Sequence, residues 1–381
     1  MQLRIGLAAL LVGLAGCGGS SSSHGAVTGR TTVVEATVSP PPPRQPVSTS
    51  GSPQAAAAPA APASTPEGWV PAAVTRDPRG YVYQAVAMPT DGADRKLTAA
   101  FAGSSVTAAF GDVVETGSRS ELLDAPVVAF VAAQGGLFAA TSDPTQPGTG
   151  HVLFRGTSAT FASSWNAPHR DVAIAALGDQ VYAASGEPGS DAAVALLATG
   201  SEEWRNMGSL AGFVPASATA ANGEVWFGGT YPGKTSSDAR LYHGGPSSTF
   251  EPVALPASAY AQTTTVTALA TANGSVFFAL EVRDLNSGAL EGGTLEVVSQ
   301  GTATTIATVP GDAFVALAPM DGTLYALTVS GHLFYVSTLG RLVEDTEIPA
   351  NSGGCVLAAG SDLYVGLDTQ EGGVLFQRVP Q

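Results

Sequence analysis

Charge, sulfur and catalytic signature motifs are all scarce in this 381-residue chain, and each scarcity removes a class of function. Charged residues make up 12%, with 16 Lys and Arg against 31 Asp and Glu, for a formal charge of −15. No basic stripe is available to displace counterions from a nucleic acid, and adhesion to anionic headgroups is equally disfavoured. The two cysteines, Cys17 and Cys355, are too few for a disulfide framework and too far apart in sequence for a Cys-x-x-Cys site. There is no Gly-x-Ser-x-Gly elbow and no His-Glu-x-x-His pair. The five histidines, His24, His151, His169, His243 and His332, stand singly and read as solvated loop residues. The apolar run at residues 5–15 has 11 residues, short of the roughly 20 that span a bilayer.

That run follows Arg4 and closes on Leu14-Ala15-Gly16-Cys17. In this arrangement the amino end resembles a bacterial lipoprotein precursor. The resemblance implies a signal peptide at 1–16, cleavage before Cys17, and acylation (including palmitate) at Cys17, leaving the mature chain on a membrane of the cell envelope. Loss of residues 1–16 removes one arginine and no acid, so the mature charge becomes −16. Gly18, where an aspartate commonly retains such proteins in the inner membrane of enteric bacteria, points to the outer membrane in a Gram-negative host. With Cys17 acylated, Cys355 is expected to be a lone thiol buried in an apolar strand.

Residues 17–64 are dominated by Ser, Pro and Ala, with almost nothing to bury, and read as a disordered tether. Its reach is roughly 40 Å as a flexible coil and roughly 150 Å as extended polyproline II. Within it, residues 31–38 (TTVVEATV) have strand-like composition.

From residue 65 to 381 the signal is repetition. A turn, a branched apolar residue, an aromatic and small residues recur seven times: RGYVYQAV, QGGLFAAT, GDQVYAAS, NGEVWFGG, NGSVFFAL, DGTLYALT and GSDLYVGL. The aromatics are Tyr83, Phe138, Tyr182, Trp226, Phe277, Tyr325 and Tyr364. Their spacing brackets that of WD and kelch blades, and each unit is flanked by further short strands. The expected fold is all-β: a seven-bladed β-propeller of antiparallel sheets. Prolines before the repeats, such as Pro126, Pro168, Pro310 and Pro349, support a common register. Because the last unit lacks an outer strand, an amino-terminal strand is expected to close the ring, and the segment at 65–71 (TPEGWVP) is read as that clasp. Ala-rich strands before each aromatic are expected at the axis, making a narrow, uncharged channel wall.

The densest titratable cluster, His169-Arg170-Asp171, falls in a connection between blades and is the candidate ligand-binding spot. Asp284-Leu-Asn286-Ser-Gly288 alternates oxygen ligands but lacks the later acid of a calcium loop, and reads as a turn. Neither a metal nor a cofactor is expected. Asp321 to Leu327 (DGTLYAL) is similar to the repeat of quinoprotein-type propellers, and residues 241–256 (LYHGGPSSTFEPVALP) resemble the sialidase-type repeat. Those likenesses imply a propeller; no sialidase arginine triad maps onto this chain, and neither quinone binding nor barrel assembly transfers. The expected function is a non-catalytic binding module, monomeric, for an envelope protein or glycan. The alternatives are a glycan-active enzyme, which needs converging carboxylates, and a scaffold subunit of an outer-membrane assembly complex, which needs a broad apolar face.

Overall fold

The computed structural model describes residues 75–77, 81–86, 95–143, 150–158, 160–299, 301–337, 340–345, 353–369 and 372–380, with backbone only at 75–77. Tight turns drive the local structure. Gln134-Gly135, Asn222-Gly223, Asn273-Gly274 and Asp321-Gly322 each place two successive residues at positive φ, the geometry of a two-residue hairpin turn whose twist matches its strands. Between such turns, Val, Ala, Leu and aromatic residues pair as antiparallel strands.

Two strands, β1 (Thr75–Asp77) and β2 (Tyr81–Ala85), precede the first blade. Blade one comprises β3 (Leu97–Ala102), β4 (Val106–Phe110), β5 (Val113–Thr116) and β6 (Arg119–Leu122). Blade two comprises β7 (Val127–Ala133), β8 (Gly136–Thr141), β9 (His151–Arg155) and β10 (Ala162–Asn166). Blade three follows with β11 (Asp171–Leu177), β12 (Gln180–Gly186), β13 (Ala192–Leu197) and β14 (Trp204–Leu210). Blade four has β15 (Val214–Ala221), β16 (Glu224–Tyr231), β17 (Asp238–Gly244) and β18 (Glu251–Pro252). In blade five the strands are longer: β19 (Gln262–Ala272), β20 (Ser275–Asp284), β21 (Leu290–Ser299) and β22 (Thr302–Pro310). Blade six contains β23 (Phe314–Met320), β24 (Thr323–Thr328), β25 (Leu333–Val336) and β26 (Leu342–Asp345). Blade seven supplies three strands of its own, β27 (Gly353–Ala359), β28 (Leu363–Thr369) and β29 (Gly372–Pro380).

The first strand of each blade packs against the first strand of the next, and β27 packs against β3, so the ring closes as a seven-bladed propeller. These inner strands are rich in Ala, Val and Leu, and Asp171 is the one charged residue among them. A β-bulge lies just inside the entrance of six of them, β11 being the exception, and re-aims the residue it sets free. At one bulge Thr267 donates its hydroxyl to the carbonyl of Phe314 in the next blade, at 2.9 Å.

The core is divided among the seams. Seven apolar clusters each join one blade to its neighbour. The seam between blades one and two is the lightest: its fully buried members are Ala99, Ala109, Val114, Val127 and Ala139. The seam between blades five and six, by contrast, buries Phe314, Phe334, Leu295 and Leu324 among others.

An amino-terminal strand does close the ring, but the one that fills the last blade is β2. It runs antiparallel to β29, with Tyr83 opposite Arg378, while β1 runs parallel to β26 at the edge of blade six. The expected clasp at 65–71 lies outside the described residues, as do the tether at 17–64, the segment at 31–38 and Cys17. RGYVYQAV is therefore the closing strand and not a first repeat. Aromatic and branched residues suit any half-buried strand, so composition does not separate an outer strand from a second one. Blade one's true second strand is β4, where Thr107 stands in place of the aromatic. Cys355 lies partly buried on β27.

Candidate functional site

The seam aromatics have one gap. Phe138, Tyr182, Trp226, Phe277, Tyr325 and Tyr364 each pack in the cluster that their blade shares with the following one. At the seam of blades one and two that place falls to Thr107, and there a cleft of about 480 Å³ opens. Phe101, Thr107 and Thr116 line it from blade one, and Gly136, Leu137 and Arg155 from blade two. Gly136 is needed there, because a Cβ would stand 2.4 Å from the Phe154 ring and 2.7 Å from the carbonyl of Arg155.

Polar groups converge on one wall. The hydroxyls of Thr107 and Thr116 are 3.0 Å apart, and Arg155 donates from Nη2 to Thr116 Oγ1 at 3.1 Å. The guanidinium lies over the Phe161 ring, 4.6 Å from its centroid. Burial pushes its pKa below the usual arginine range, with Glu121 opposing that shift and Arg119 adding to it. The Glu121 carboxylate accepts the Phe161 backbone N–H at 2.7 Å, and among the described residues Arg155 makes no ion pair within 4 Å. On the rim, Gln134 holds φ at 52°, a left-handed conformation that costs a residue other than Gly, Asn or Asp on the order of 1 kcal/mol. Its backbone N–H meets Asp179 Oδ1 at 3.3 Å and its side chain donates to the Ala198 carbonyl at 3.2 Å.

His169, Arg170 and Asp171 sit at the other end of the molecule's inner strands. Asp171 opens β11, whereas Asp179 lies in the turn that follows that strand, roughly 20 Å away at about 3.3 Å per residue. The Ser185 hydroxyl pins this connection, accepting the His169 N–H at 2.9 Å and donating to the His169 carbonyl at 2.8 Å. His169 Nδ1 is 3.6 Å from Glu187, and Arg170 Nε is 3.4 Å from the buried Asp171 carboxylate. Burial raises the Asp171 pKa and Arg170 counters it. A ligand on this face would meet His169 and Arg170, whose side chains are 20% and 18% exposed, ahead of Asp171.

Other acids on that face serve as fastenings between strands and connections. Asp191 Oδ1 accepts the Gly212 N–H and Asp238 Oδ1 the Ser258 N–H, both at 2.9 Å. Asp312 accepts the Ala313 N–H at 2.8 Å and the Ser330 hydroxyl. Asp284 binds the backbone and hydroxyl of Ser287, each at 2.7 Å, and these bonds hold its pKa below the usual carboxylate range. The 284–288 loop thus has the internal bonding of a turn. No group of three or more His, Cys, Asp or Glu side chains that could hold a metal occurs among the described residues.

No protein-family model matches the chain, and no curated protein matches it. Solved structures do. A streptogramin B lyase structure is similar at a TM-score of 0.55 and 11% identity, over 78% of this chain and 97% of that one. A chain of a mitotic checkpoint complex is similar at 0.52 and 13%, over 84% and 97% respectively. At such identities the likeness shows the fold alone.

The cleft was not legible as a site in the repeat pattern. Its one signal is an absence: Val106–Phe110 (VTAAF) forms a hairpin strand with no aromatic in second place.

Proposed function

We propose that the mature chain is an envelope lipoprotein, anchored through lipid on Cys17, whose propeller is a non-catalytic binding module for a protein or glycan. The amino-end resemblance supports the anchor, and the 17–64 segment would carry the propeller away from the membrane. The observation that carries the binding reading is the cleft at the seam of blades one and two, where a partly buried cation faces a space that an aromatic fills at every other seam. Engagement of Asp191, Asp238, Asp284 and Asp312 in backbone and hydroxyl bonds takes these four out of a glycan hydrolysis that calls for two free carboxylates across a sugar, and so favours binding at their positions. Large hydrophobic side chains exposed among the described residues are Leu122, Tyr231 and Tyr260, which gives little support to an assembly scaffold.

Crosslinking in the native cell followed by mass spectrometry tests this reading, comparing the intact protein with a secreted Cys17→Ala form. One dominant partner that is lost without the lipid supports a membrane-proximal binding role. Capture of no protein or glycan by either form would overturn it.

A further inference from the structure

We infer that the seam cleft binds a small aromatic carboxylate, with its ring where the seventh aromatic would stand and its carboxylate on Arg155; this goes beyond the protein or glycan of the binding-module reading and shares only the cleft with it. Three independent features point there. The first is shape: six seams hold an aromatic from the second strand, and the seventh holds Thr107 and about 480 Å³ of space, within the range of small-molecule sites. Phe101 and Leu137 supply apolar contact for a ring.

The second is charge. Arg155 is partly buried at the wall and forms no ion pair among the described residues, so it bears a desolvation cost that an incoming anion would offset. Its guanidinium is planar and presents paired donors, which suits a carboxylate better than a single-point acceptor does. One of those donors is engaged with Thr116, and the Thr107 hydroxyl lies beside it to complete the polar wall. Asp179 also lines the cleft, with Oδ1 accepting the Gln134 N–H at 3.3 Å, so the anion is placed at the Arg155 wall.

The third is construction. Gly136 lets the Phe154 ring and the Arg155 carbonyl pack closely against the cleft's border, where any Cβ would strike them. Gln134 is held at the rim in a costly conformation by bonds to Asp179 and Ala198 in blade three. Both shape the backbone at the cleft's border, in a seam whose fully buried members are Ala and Val.

Titration calorimetry of the full mature chain carrying Cys17→Ala tests the inference with phenylacetate as the probe and benzylamine as the ring with opposite charge. A ligand of ten non-hydrogen atoms is expected to bind with a Kd of about 5 mM. Benzylamine should not bind. Arg155→Gln should weaken phenylacetate at least about tenfold, the loss of one charge-assisted contact. Thr107→Phe should abolish binding by filling the gap, without lowering the melting temperature; if that variant misfolds, Arg155→Gln decides. Absence of saturable phenylacetate binding, or binding that survives Arg155→Gln unchanged, would overturn the assignment. A partner captured in cells by a chain that ignores phenylacetate would overturn this ligand while leaving the binding-module reading standing.

Discussion

The hydroxyl of Tyr83 donates to Asp345 Oδ2 at 3.0 Å, tying the strand that completes blade seven to the outer strand of blade six. The same carboxylate oxygen lies 3.5 Å from Arg378 Nε. Arg378 in turn donates to the Tyr325 hydroxyl at 3.0 Å and stacks over the Tyr81 ring, 3.4 Å from its centroid. Arg378 and Asp345 are 6% and 4% exposed. The ring is therefore closed by a buried polar network as well as by backbone pairing, and a network of this kind fixes register because every misalignment strands a charge.

Tyr83→Phe is expected to cost about 1.5 to 3 kcal/mol, the range for a hydrogen bond to a charged group, measured by urea denaturation. Burial, then the adjacent Asp345 carboxylate, push the phenol well above the usual tyrosine range. The folded state thus keeps its proton while the unfolded chain releases one above about pH 10. The contribution is complete below that pH and declines as pH rises past it, so the gap between wild type and Tyr83→Phe should narrow at pH 11.

Truncation to residue 86 removes both β1 and β2. The edge of β29 is then exposed, and the Asp345 and Arg378 pair loses its tyrosine covers. Scanning calorimetry should show a single transition lowered by about 10 °C or more, and light scattering should show association through the open edge. An unchanged melt would mean that β29 ends the sheet unaided.

Asn273 holds φ at 50° in its turn and donates Nδ2 to the Gly322 carbonyl of the next blade at 2.6 Å, as Asn222 does to Gly274 at 2.9 Å. Asn273→Ala loses the bond and places a less tolerant residue in the left-handed region. A cost of about 1 to 2 kcal/mol is expected by chemical denaturation, and Asn273→Gly should recover part of it.

Lipid on Cys17 and a disulfide joining it to Cys355 are exclusive within one chain, because these are its two cysteines. Mass spectrometry of the mature protein isolated from membranes, without reduction, should show an amino-terminal peptide beginning at Cys17 and carrying diacylglycerol. A peptide pair joined through Cys17 and Cys355 would refute the anchor.

The sequence by itself determined six of the seven second strands and the all-β propeller they build; the count of seven came out because RGYVYQAV, the closing strand, stood in for β4. Six second strands announce themselves by an aromatic after a turn, as at Asn222-Gly223-Glu224-Val225-Trp226, because a half-buried strand and its hairpin turn are local chemistry. The inner strands were legible from their small residues for the same reason, crowding at the axis. Tertiary structure alone decided what each piece pairs with. Tyr83 has the local signature of a repeat, yet its partner is Arg378, nearly 300 residues onward, and no local pattern tells a closing outer strand from a second strand. The candidate site lay further from view. His169, Arg170 and Asp171 stand together in sequence and so drew notice, whereas the cleft gathers Thr107, Thr116 and Arg155 from separate strands around something that is missing. A gap in packing exists only once neighbouring blades are in place, and its chemistry is set by which side chains happen to border it.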